Sequence, residues 1–135
     1  MKTPIEIFNL MYNNDPFSKL LGMNLIEISE GYCILEMMVN KNMLNGFGIA
    51  HGGITYSLAD SALAFASNSR GIQSISIETS INHLSKVSEG DKLTAITEEK
   101  NLTSRTGLYI INITNQKNES VALFKGIVFR TGKEW

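Results

Sequence analysis

The chain is short of the features that staple, anchor or charge a protein. Cys33 is the only cysteine in 135 residues, which excludes an intramolecular disulfide framework. The two prolines, Pro4 and Pro16, both lie near the start, and there is no repeat, low-complexity tract or Pro/Gly-rich linker. One domain spanning residues 1–135 is therefore expected. No run of eighteen apolar residues occurs, and Glu6 interrupts the only apolar segment of the amino end, so neither a membrane span nor an export signal is expected. That points to the cytoplasm and leaves the three sequons at Asn101, Asn112 and Asn118 without meaning. Charge excess is missing too. Twelve basic against thirteen acidic residues give a net charge of −1, which supplies no field for a polyanion and argues against nucleic acid as the main partner. The two histidines, His51 and His83, and the scattered carboxylates lack metal-ligand spacing, and no Gly-x-Ser-x-Gly elbow occurs.

What is present suffices for a core. With 43% apolar residues, a chain of this length buries roughly two-thirds of its unfolded surface and needs no staple to fold. Residues 3–13 place Ile5, Phe8 and Tyr12 at helical spacing after Pro4, and Asp15-Pro16 starts a short helical turn through Leu21; together they predict an amino-terminal helical cap. From Met23 the period changes. Leu25 to Ile28 and Tyr32 to Val39 read as two strands around a Ser29-Glu30-Gly31 turn, and Lys41 to Gly53 reads as a loop. Ile54 to Ser69 contains no helix breaker, and Ile54, Leu58, Ala62 and Phe65 form one stripe, which predicts a helix. After Arg70-Gly71 the chain is β-like: Ile75, Ile77, Thr79 and Ile81 alternate, and Leu93 to Thr97, Leu108 to Ile113 and Val121 to Phe129 follow. One small-residue-rich helix before a long meander predicts an α+β fold with an antiparallel sheet curled around that helix. The other sheet face must meet solvent or another subunit.

Asp60 stands out. It sits mid-helix between Leu58-Ala59 and Ala62-Leu63 with no charged partner nearby in the sequence. Aspartate is a poor helix-interior residue, and burying its ionised form is costly without compensation. It reads either as part of a narrow exposed strip with Tyr56, Ser57 and Ser67, or as a carboxylate in an apolar pocket, with raised pKa and increased nucleophilicity. The loop Asn45-Gly46-Phe47-Gly48-Ile49-Ala50-His51-Gly52-Gly53 favours the second reading. Adjacent glycines at a helix start allow backbone N–H groups to approach a ligand, and the helix end adds roughly half a positive charge, which suits an oxyanion. Taken together, Asn45, His51, the glycine pair and Asp60 make an acyl-transfer site. Asp60 lies eight residues beyond Gly52, about 12 Å along one helix, too far for both to touch one carbonyl carbon. Either the substrate spans that gap or two chains of a two-fold dimer share each site. His83 shares the parity of Ile75, Ile77 and Ile81 and reads as a satisfied sheet histidine; Cys33, inside a strand with no nearby base, reads as buried and structural.

These residues carry a resemblance. Asn45-Gly46, His51-Gly52-Gly53 and Ser57-Leu58-Ala59-Asp60 resemble the hotdog-fold acyl-CoA thioesterases, in particular the phenylacetic acid degradation (phenylacetyl-CoA) type. So do Ala64 to Ser69, Glu89 to Ala95, Arg105-Thr106-Gly107 and Val121 to Gly126, over about Pro16 to Thr131. The resemblance implies a sheet wrapped around a central helix, in dimers that pair into tetramers, and hydrolysis of an acyl-CoA to CoA and a carboxylic acid. CoA would then be part of the substrate, with no separate cofactor. It implies that the Gly52 N–H polarises the thioester carbonyl, that Asn45 and His51 order the loop, and that Asp60 of the facing subunit is nucleophile or general base. It also places Ser104, Arg105, Thr106 and Gly107 near the nucleotide end of CoA, where Arg105 could meet a phosphate. One departure is Ser85-Lys86, where such enzymes often carry Arg-Pro; Lys86 is a substitute charge or the loop differs. Rival readings are a thioesterase acting on carrier-protein-bound acyl groups and a non-catalytic acyl-CoA binding module; hydratase chemistry on the same fold fits less well.

Overall fold

The computed structural model describes residues 1–135. Its elements are α1 (Pro4–Asn13), α2 (Pro16–Leu20), β1 (Asn24–Ser29), β2 (Tyr32–Met38), a 3-10 turn (Lys41–Met43), α3 (Gly52–Asn68), β3 (Ile72–His83), β4 (Lys92–Leu102), β5 (Thr106–Thr114) and β6 (Ser120–Glu134). The six strands form one antiparallel sheet in the order β1-β2-β4-β5-β6-β3. That sheet wraps α3, which packs against all six strands. No helix is long and apolar enough to cross a membrane.

Each helix begins where its sequence supplies a cap. Thr3 and Glu6 close a capping box on α1, with Pro4 in the first turn, and the Asp15 carboxylate accepts from the Ser18 N–H at the start of α2. At α3 the cap is His51, whose Nδ1 accepts from the Gly53 N–H at 2.8 Å, so the helix starts at Gly52 rather than at Ile54. The predicted stripe Ile54, Leu58, Ala62 and Phe65 is buried, but so are Ala59, Leu63 and Ala66. A helix enclosed by a curved sheet and capped by α1 buries far more of its circumference than a surface helix. Phe8 of α1 meets Phe65 edge-on at 4.8 Å and stacks on Tyr12 at 5.3 Å, which closes the helix face the sheet leaves open.

The far end of α3 is fixed by Asn68, 2% exposed. Its Nδ2 donates to the carbonyls of Ala64 and Ser74, and its Oδ1 accepts from the Ser74 N–H and the Trp135 indole N–H, both at 2.9 Å. Asn68→Ala strands two buried donors, each costing about 1–3 kcal/mol. A loss of about 2–4 kcal/mol in unfolding free energy is expected, read from urea denaturation.

Two differences from the sequence reading bear on the site. A bulge at Ile77 breaks the alternation of β3, because Ser76 pairs with Val128 and Glu78 with Ile127. Thr79, Ile81 and His83 therefore face the helix together with Ser74 and Ser76, while Ile75 and Ile77 are 62% and 60% exposed on the edge of the sheet. Strand β4 also runs on past Thr97 through Glu98-Glu99-Lys100, whose charges hid it. Glu99 takes Arg70 in a two-point ion pair at 2.7 and 3.1 Å and accepts from the buried Tyr109 hydroxyl.

Candidate functional site

Two cavities flank α3, one near each end of β3. The first, about 310 Å³, is lined by Asp60 with Leu63 and Ala64 of the helix, Met11 of α1, Ser76 of β3 and Val128 of β6. Asp60 is half-buried, and its carboxylate makes no hydrogen bond and no ion pair, so burial alone pushes its pKa above the ordinary carboxylate value. Of the strip Tyr56, Ser57 and Ser67 that the sequence offered beside Asp60, Ser67 is 2% exposed, whereas Tyr56 and Ser57 are half-buried like Asp60 itself. Ser67, Asn68, Ser74 and Ser76 share the cavity wall with the apolar side chains, and a half-buried carboxylate without a partner in such a cavity is a candidate functional group.

The second cavity, about 470 Å³, lies at the amino end of α3 between Ala50, Gly52, Thr55, His83, Lys86 and Val87. The loop leading to it is built by Asn45, whose Oδ1 accepts from the N–H groups of Phe47 and Ile49 and whose N–H donates to the Ile49 carbonyl at 2.7 Å. His51 donates its backbone N–H to the Met43 carbonyl and caps Gly53. Both side chains are thus turned to the loop itself, and what they deliver is the Gly52 N–H, which has no acceptor within the chain. The orphan donor at the first position of a 17-residue helix carries the positive end of its dipole.

His83 is not a satisfied residue of the sheet interior. It is exposed at the end of β3, with its Nδ1 3.5 Å from the Thr55 hydroxyl and its ring against Gly52. The bulge at Ile77 carried it there, which parity counting across β3 could not reveal. Lys86 is exposed on the rim of the same cavity.

The corner between β4 and β5 divides. Ser104 and Arg105 line a third cavity of about 380 Å³ with Phe129, Arg130 and Thr131. The Thr106 hydroxyl is taken up by Thr103, and Gly107 is buried against Tyr109 and Val128. Arg130, absent from the sequence reading, gives one nitrogen to the Thr103 carbonyl while its buried Nε has no partner. Ser76 was likewise missed, being one serine among several in a strand; only the fold sets it in the cavity of Asp60. Cys33 is buried, with its thiol pushed up to about 12 by desolvation, and takes no part. No group of three or more metal-ligating side chains forms.

Comparison with known proteins agrees with this geometry. Residues 47–122 match the family model described as thioesterase superfamily. The chain is 41% identical over 122 residues to the acyl-coenzyme A thioesterase PaaI of Escherichia coli, covering 90% of this chain and 87% of that one. The solved structure of the E. coli PaaI protein superposes with a TM-score of 0.94 at 38% identity, covering 97% of this chain and 95% of that one. A Streptococcus mutans protein solved bound to acetyl CoA superposes with a TM-score of 0.81 at 28% identity, covering 84% and 91%. The family match takes in the loop from Phe47, all of α3 and β3 through the start of β6, and the chain belongs to the thioesterase superfamily as a hotdog-fold thioester hydrolase of the PaaI type.

Proposed function

We propose that the protein hydrolyses a compact acyl-CoA to CoA and a carboxylic acid, with Asp60 of one chain and the Gly52 N–H of a second chain in each site. The observation that carries this reading is the separation of an unpaired carboxylate and an unpaired helix N–H into two cavities on the same helix. Eight residues of helix hold them about 12 Å apart, so a single chain presents two half-sites. Strand β3 supplies the means of joining them. It is the end strand of the sheet, twelve residues long, with Ile75 and Ile77 exposed. Such an edge pairs readily with a second copy of itself. Antiparallel pairing centred between Thr79 and Ser80 sets His83 of one chain opposite the partner's Ser76, which brings a Gly52 cavity against an Asp60 cavity twice per dimer. Asn45 and His51 hold the loop that presents Gly52. Further pairing into a tetramer is compatible with the exposed Ile96 and Leu123 on the sheet.

The thioester carbonyl oxygen accepts from the Gly52 N–H while Asp60 either activates water or attacks the carbon directly. The acyl group enters the Asp60 cavity, whose 310 Å³ and apolar walls of Met11, Leu63 and Val128 suit an aryl or short to medium aliphatic group. CoA enters as part of the substrate, and no separate cofactor is required. Its phosphates fall to the Ser104-Arg105 corner, where Arg130 adds a second guanidinium.

A thiol-release screen over short, branched and aryl acyl-CoAs tests the reading, with the same acyl groups on a phosphopantetheine carrier protein as the competing arm. Hydrolysis confined to the carrier arm reassigns the substrate, and binding without thiol release makes the chain a binding module. Arg105→Gln is expected to raise KM for the CoA ester roughly tenfold, the loss of one charge-assisted contact of about 1.5 kcal/mol, with kcat retained. The pantetheine ester, lacking the nucleotide, should show no such change.

A further inference from the structure

We infer that His83 is a further catalytic residue, donating a second hydrogen bond from Nε2 to the thioester oxygen held by the Gly52 N–H. The inference rests on the proposed role of Gly52. A Cβ built on Gly52 would stand 3.1 Å from His83 Nε2 and 3.3 Å from Cε1. Adding the bonds from that Cβ to the backbone nitrogen, Nε2 lies no more than about 6 Å from the Gly52 nitrogen. Oxyanion donors work at roughly 2.7–3.1 Å, so one oxygen seated between the two nitrogens is within reach of both. Both residues line the same 470 Å³ cavity, and His83 is exposed. The contact also bears on glycine at position 52: a Cβ there would push the imidazole by a few tenths of an ångström, whereas glycine leaves it in place beside the N–H.

Thr55 stands beside the ring. Its hydroxyl reaches the Gly52 carbonyl at 3.0 Å and His83 Nδ1 at 3.5 Å. Its single hydrogen is donated to the Gly52 carbonyl, and the 3.5 Å approach to Nδ1 is too long to fix the ring's tautomer; the neutral imidazole that donates toward Gly52 is the one with its hydrogen on Nε2. In the general-base route water bonds to the thioester carbon, its proton passes to Asp60, and the carbonyl π pair moves onto oxygen between the two donors. Collapse re-forms the carbonyl, breaks the C–S bond and returns the proton from Asp60 to the departing thiolate. His83 donates throughout and exchanges no proton.

His83→Phe keeps the ring volume and removes the donor, while His83→Gln keeps an N–H near the position of Nε2. Steady-state kinetics with the best acyl-CoA should show kcat lowered about ten- to hundredfold in His83→Phe with KM within twofold, and at least threefold recovery of kcat in His83→Gln. Unchanged kcat in His83→Phe, or an effect on KM alone, overturns the inference, as does a His83→Gln variant no better than His83→Phe. Circular dichroism melts of each variant separate loss of fold from loss of the donor. Asp60→Asn measured beside them keeps the two levels apart. If it is inactive while His83→Phe is normal, only the role of His83 fails; if Asp60→Asn is fully active, the underlying reading fails.

Discussion

Replacing Asp60 by asparagine is expected to lower thioester turnover by about two to four orders of magnitude, with the fold and any assembly retained. The carboxylate accepts no hydrogen bond and pairs with no cation, so the substitution breaks no contact in the chain. It removes only the proposed base or nucleophile. Its pKa is raised from 3.8 by burial, which fixes the sign of two further effects. First, wild-type activity requires the ionised form, so kcat/KM should fall as pH drops through a value above the ordinary carboxylate range, and the residual activity of the variant should lack that limb. Second, the folded chain holds the Asp60 proton to higher pH than the unfolded chain does. Stability is therefore lost as pH rises from 3.8 through the raised pKa, and that loss is absent below 3.8. Asparagine does not titrate there, so the variant should melt at or above the wild-type temperature at neutral pH. A variant that keeps near-full turnover, or one that loses turnover only because it no longer folds, removes Asp60 from the mechanism.

The part of the fold that sequence made legible is the part that depends on local pattern. The 3.6-residue stripe of α3, the period-two runs of β2 and β5 and the glycine-marked turns all follow from side chains a few positions apart. Asp60 and the Gly52-Gly53 start were legible for the same reason: an acid without a neighbouring cation and a glycine pair before a helix are local anomalies. What escaped is non-local. The bulge at Ile77 depends on the pairing of β3 with β6, and once it inserts a residue, parity counted from Ile75 gives the wrong face for His83. Arg130 joins Arg105 only because β6 lies beside β5. Ser76 meets Asp60 only because the sheet closes over the helix. The sequence reading ended β4 at Thr97, short of the charged stretch Glu98 to Lys100, because the ion-pair partner of Glu99, Arg70, is twenty-nine residues away in the chain.

Gly52→Pro is expected to lower turnover by about two to three orders of magnitude, the cost of losing one oxyanion donor. Proline is the substitution that removes the N–H at the least cost to the helix. Gly52 is the first residue of α3, where proline is favoured because that N–H has no helical acceptor, and His51 before it already has φ −63° and ψ 136°, the extended region that a following proline demands. A Cβ at position 52 shifts the exposed His83 imidazole by a few tenths of an ångström, so His83→Phe measured beside it separates the loss of the N–H from that shift. Helix content and melting temperature should therefore stay near wild type while turnover falls. The same variant tests whether two chains share each site. Chains carrying Asp60→Asn and chains carrying Gly52→Pro, exchanged in equal amounts, should form hybrids as about half of all dimers. Each hybrid joins an unaltered Gly52 to an unaltered Asp60 in one site and places both substitutions in the other. About a quarter of the wild-type sites should then be intact, so the mixture should reach about a quarter of wild-type activity from two nearly inactive parents. No recovery after subunit exchange has been verified would confine Gly52 and Asp60 to a single chain, and the 12 Å of helix between them would then have to be spanned by the substrate itself.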